Sequence, residues 1–215
     1  MEGLSTSQKW SSERAPQSFV KFFGSNGDRA PRTGTTLSAV QRAGNHAVCT
    51  YPIGKRPRQV QDGAIIFMGR LVEGPNDVVI YGRAIAKRYE EGTDDATEDD
   101  VRMRYWRRKF PHYIRVHSPE FMGGTLAQGV SLNELLDSLG VEAFESTRRN
   151  WEAGRGNTDP RRSIGPQPAV LLSAQGSAWV NAQLEERFRN HGKLTPADLA
   201  DVRGRSISLS EPCYH

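Results

Sequence analysis

Cysteine is scarce in this chain: Cys49 and Cys213 are the only two among 215 residues. Two thiols make no disulfide framework, and such sparing use fits a reducing compartment. Long apolar runs are missing as well. None approaches the ~20 residues that span a bilayer, and residues 1–17 are polar, without the apolar core of a secretory leader. The expectation is a soluble, cytoplasmic protein. Metal-site spacing is lacking too. His46 and Cys49 lie three apart and Cys213 and His215 two apart, but neither pair has a partner pair at zinc spacing. His112 and His117, on one expected strand, read as a junction residue and a surface residue. No metal and no cofactor are expected. A phosphate-cradling G-x-x-x-x-G-K-S/T loop, a G-x-G-x-x-G turn after a strand and a G-x-S-x-G elbow are all absent. Nucleotide hydrolysis, dinucleotide binding and serine-hydrolase chemistry are therefore unsupported, and no residue is given a catalytic role.

What is present is charge, unevenly spread. The 29 basic and 25 acidic residues leave a net +4. Glu90, Glu91, Asp94, Asp95, Glu98, Asp99 and Asp100 concentrate the acids in one segment, so the remainder is more basic than the total implies. Basic clusters lie at Lys55–Arg58, Arg102–Lys109, Arg148–Arg149 and Arg161–Arg162. A solvated surface accounts for any one of them; four, flanking aromatic segments, point to a polyanionic partner. The length suits one domain: a tail over 1–16, a domain over 17–190 and a helical extension and tail over 191–215.

Apolar patterning places the elements. Ser18–Phe23 reads as a strand closed by the turn Gly24–Asp28, and Ala47–Tyr51 as another. Two apolar runs, Ala64–Leu71 and Val78–Ala86, flank Glu73-Gly74-Pro75-Asn76-Asp77 and predict a hairpin whose second strand continues through Lys87–Tyr89. Thr97, followed by Glu98, Asp99 and Asp100, predicts a helix to about Lys109, before Pro111. The acids at 94–95 and 98–100 read as electrostatics of that helix start. His112–His117 alternates as a strand. Ser131 and Glu134 form a capping box for a helix ending at Gly140. Ala169–Leu172 reads as a short strand. Ser177 is the expected cap of a helix carrying Val180, Leu184 and Phe188 on one face. Short helices over Thr36–Ala43 and from Thr195 complete the reading.

The stretch Gly63–Val116 is the most informative. Aromatic and cationic residues interleave from Tyr105 to Val116, where they suit contact with a phosphate backbone and a stacked base. Most of its aromatics should fill the core; Trp106, among Arg104, Arg107 and Arg108, is the best candidate for ligand contact.

Ordered motifs over residues 18 to 185 resemble the EVE domains, PUA-like relatives of the YTH and ASCH domains. Phe19–Asn26 is similar to the family's opening strand and Ser/Asn-bearing turn, and Asp62–Phe67 to its "GD-apolar-apolar-F" strand. Tyr81–Ile85, Trp106 with Tyr113–Val116, Val130–Leu135 and Arg162–Pro168 with Trp179 follow in the family's order. The resemblance implies an α+β fold: a PUA-like, strongly curved mixed β-barrel with surrounding helices. It implies a nucleic-acid reader, of DNA in preference to RNA, that flips a modified base into an aromatic cage. Ser25, Asn26, Phe67, Gly69, Trp106 and Tyr113 would form the pocket. Arg56, Arg58, Arg148, Arg149, Arg161 and Arg162 would hold phosphates. The rival expectation is a small nucleic-acid-processing enzyme, a nuclease or an ASCH-like base-processing enzyme.

Overall fold

A computed structural model of the chain describes residues 16–23, 48–72, 77–103, 108–156, 158–159 and 169–194. Seven strands form one mixed sheet: β1 (Ser18–Phe23), β2 (Val48–Tyr51), β3 (Ile65–Val72), β4 (Asp77–Ala86), β5 (His112–Phe121), β6 (Val130–Ser131) and β7 (Ala169–Leu171). The helices are α1 (Glu98–Met103), α2 (Leu132–Leu139), α3 (Glu145–Glu152) and α4 (Ala174–His191).

The two apolar runs pair as expected, β3 antiparallel to β4, with a register shift between Met68 and Gly69. Residues 65–70 of β3 and 77–82 of β4 are buried on both faces, as strands in the middle of a covered sheet must be. β1 lies parallel to β3, with Ser18 opposite Ile65. Only short β7 continues the sheet beyond it. On the other side β5 pairs with β4, and β2 with β5.

The sheet is open, which corrects the expected PUA-like barrel and with it the EVE resemblance. The strand order β2-β5-β4-β3-β1-β7 leaves β2 and β7 at opposite ends, and no ladder among the described residues joins them. Closure requires the end strands to pair at a consistent stagger. β7 has three residues, all engaged with β1, and β2 has four, all engaged with β5. The α+β composition stands; the closed, strongly curved form does not.

Helix α4 packs on the sheet through Val180, Leu184 and Phe188, all buried. It starts at Ser173, four residues before the expected Ser177. Ser173 Oγ accepts the Gly176 N–H at 2.9 Å, and the Ser177 hydroxyl donates instead to Ser18 Oγ at 2.7 Å. Arg83 of β4 fixes the helix laterally. Its guanidinium bonds Glu120 of β5 at 2.6 and 2.8 Å, Asn181 Oδ1 at 2.9 Å and Glu185. Helix α2 has the expected cap: the Glu134 N–H donates to Ser131 Oγ at 3.2 Å. Helix α1 is described as far as Met103; residues 104–107, through which the expected helix would run on to Lys109, lie outside the described residues. β4 ends at Ala86, although the Lys87 N–H still donates to the Arg115 carbonyl at 2.8 Å; the Arg88 N–H donates instead to Asp62 Oδ1 at 2.7 Å. The expected helices at 36–43 and after Thr195 fall outside the described residues.

Candidate functional site

The acidic segment 90–95 forms a folded loop against the start of β5, rather than the start of a helix. Asp95 and His112 make an antiparallel bridge, and the Tyr113 N–H donates to the Asp94 carbonyl at 3.0 Å. Asp95 Oδ1 accepts the Tyr89 hydroxyl at 2.7 Å and faces His112 Nδ1 at 2.6 Å, while its Oδ2 accepts the Gly92 N–H at 2.8 Å. Burial opposes ionisation of Asp95, but the bonds from His112, Tyr89 and Gly92 prevail and hold its carboxyl at about 2. Burial, then the bond to Asp95, pushes the Tyr89 phenol up to about 12. An ionised Asp95 only accepts, so Nδ1 of His112 carries the proton. Nε2, on a ring only 5 % exposed, has no hydrogen-bond partner among the described residues.

Asp94 is fully buried and ion-paired to Arg115 at 2.8 Å, and Arg115 also meets Glu90 at 3.1 Å. Tyr113, expected in a base pocket, donates its hydroxyl to the Thr93 carbonyl at 2.9 Å, on this same loop. Sequence reasoning passed over Tyr89, Asp94, Asp95 and His112. The available signal was a pair of acids standing before the helix cap, with a histidine at the foot of the next strand.

Basic residues border this cluster. The Ile53 N–H donates to the Lys109 carbonyl at 3.0 Å, which brings residues 52–58 beside residues 108–109. Arg56 and Arg58 share one carboxylate, Glu91, at 3.3 and 2.7 Å. The bonded guanidinium of Arg58 holds the Glu91 carboxyl below its ordinary range. Lys55, Arg108 and Lys109 are exposed, with no ion pair among the described residues. Ile53 is 73 % exposed in their midst. Arg148 and Arg149 differ: both lie on α3 and pair within it, Arg148 with Glu145 at 2.8 Å and Glu152 at 2.5 Å, Arg149 with Glu145 at 2.8 Å. Arg161 and Arg162 lie outside the described residues.

The expected aromatic cage is corrected by the same geometry. Phe67 is wholly buried in the core. Gly69 is closed to a base: a Cβ there would stand 2.9 Å from Val78 Cγ1 and 3.3 Å from Val20 Cγ1. Tyr81 stacks on Phe121 with centroids 6.1 Å apart, and Tyr89 meets His112 edge-on at 6.3 Å, but no aromatic cluster forms among the described residues. Ser25, Asn26 and Trp106 lie outside the described residues. Without barrel or cage, the flipped-base reader is not retained. No described helix is long and apolar enough to cross a membrane.

No protein-family model matches the chain, and a search of curated proteins finds no relative.

Proposed function

We propose that the protein binds nucleic acid through the sugar–phosphate backbone, on the surface formed by residues 52–58 and 108–109, without enclosing a base. One observation carries this reading: the Ile53–Lys109 hydrogen bond joins two basic segments distant in sequence into one surface. Of Lys55, Arg56, Arg58, Arg108 and Lys109 there, only Arg56 and Arg58 are ion-paired among the described residues, both to Glu91. Cations on such a surface displace the counterions condensed on a nucleic acid's phosphates, and the exposed Arg–Glu91 pairs cost little to rearrange. Ile53 adds an apolar contact for sugar or base faces. Fluorescence anisotropy with labelled single- and double-stranded DNA and RNA tests the reading. Binding should weaken steeply between about 50 and 200 mM salt. Absence of binding to every probe at the lower salt would refute it.

A further inference from the structure

We propose that Arg70 is the centre of a buried site for a small oxyanion, a phosphate or carboxylate group. This does not rest on the nucleic-acid reading and concerns a different part of the sheet. Arg70 sits on β3, an interior strand flanked by β1 and β4, opposite Phe23 and Val79. It is 7 % exposed, and its Nε and Nη1 are buried with no hydrogen-bond partner among the described residues.

A guanidinium does not shed its proton, so burial cannot be relieved by neutralisation as it is for lysine or histidine. It needs an acceptor. The nearest acid in the ladder is Asp77, paired with Val72 and therefore on the same face as Arg70 two residues away. Asp77 is committed elsewhere: it accepts the Ser131 hydroxyl and, at 3.1 Å, the Asn133 N–H. Lys21, 4 % exposed, occupies the same face on β1, opposite Met68 and one alternation from Arg70. The Lys21 ammonium is engaged, 5.1 Å over the Tyr51 ring, so Arg70 alone is left to carry the site. A planar fork of donors fits a phosphate or carboxylate. Burial limits the ligand to a small group.

The test uses the full chain in phosphate-free buffer. Inorganic phosphate, sodium acetate and sodium chloride are added at equal ionic strength, and the melting temperature is followed. Phosphate or acetate should raise it saturably beyond chloride, the larger rise identifying the preferred group; Arg70→Met should abolish the rise. The Nε–H resonance of Arg70, identified by its loss in Arg70→Lys, should move during the same titration in the unaltered chain. That measurement remains available if Arg70→Met does not fold. A melting temperature that responds equally to all three salts, or a response that survives in Arg70→Met, overturns the proposal.

Discussion

Asp95 shows how one side chain can organise a loop. Three donors converge on its carboxylate, from Tyr89, Gly92 and His112. Its carboxyl titrates at about 2 against an ordinary 3.8, so the fold favours the ionised form. That contribution, roughly 2 kcal/mol by linkage, is complete above the ordinary value and lost as pH falls through the lowered one. Urea unfolding of Asp95→Asn should therefore show a loss of about 2 kcal/mol near neutral pH that vanishes by about pH 2. An equal loss at both pH values would mean that charge is not the cause. Tyr89 titrates in the opposite sense. Its phenol is raised from 10.0 to about 12, so its contribution is full below pH 10 and lost as pH climbs through 12. Tyr89→Phe should cost about 1 kcal/mol at neutral pH. It should also flatten the alkaline decline in stability, which a denaturant series over that range will show.

At the scale of elements, α4 is held at two points. Gly176 lets its first turn approach the preceding segment: a Cβ there would stand 2.2 Å from the Ala143 carbonyl oxygen and 3.4 Å from Leu172 Cδ2. Gly176→Ala should destabilise by about 1–3 kcal/mol through overpacking, despite the better helix propensity of alanine. Chemical denaturation measures it, and a stabilised variant would show that the turn can move. Further along, Arg83→Lys should lose the forked contact to Glu120 and weaken α4 docking. Hydrogen exchange should quicken along α4 while β3 keeps its protection. These elements also show what the sequence can convey. The apolar runs of β3 and β4 and the Ser131–Glu134 cap were legible because each depends on near neighbours in the chain. The start of α4 was not, since Ser173 and Ser177 are equally good caps until Ser18 claims one of them. Nor was the role of Asp94 and Asp95, whose partners Arg115 and His112 lie about twenty residues downstream.

At the scale of the molecule, the arrangement of strands decides between functions that composition leaves open. Every strand motif behind the EVE resemblance is a local pattern, whereas closure depends on whether the end strands meet; no ladder among the described residues joins β2 and β7. In an open sheet with Phe67 and Gly69 packed into its core, the described residues form no aromatic cage for a base. The basic clusters, equivalent in the sequence, separate in the fold. Arg148 and Arg149 are matched on α3 by Glu145 and Glu152, while Lys55, Arg108 and Lys109 carry no ion pair among the described residues. The central claim is that phosphate contact belongs to the second group. The most direct measurement compares salt-dependent oligonucleotide affinity for the wild-type chain, a Lys55→Glu/Lys109→Glu variant and an Arg148→Ala/Arg149→Ala variant. The lysine variant should lose at least tenfold in affinity (about 1.4 kcal/mol) and show a shallower salt slope, with the arginine variant close to wild type. Loss of affinity in the arginine variant, with the lysine variant unaffected, would contradict that claim.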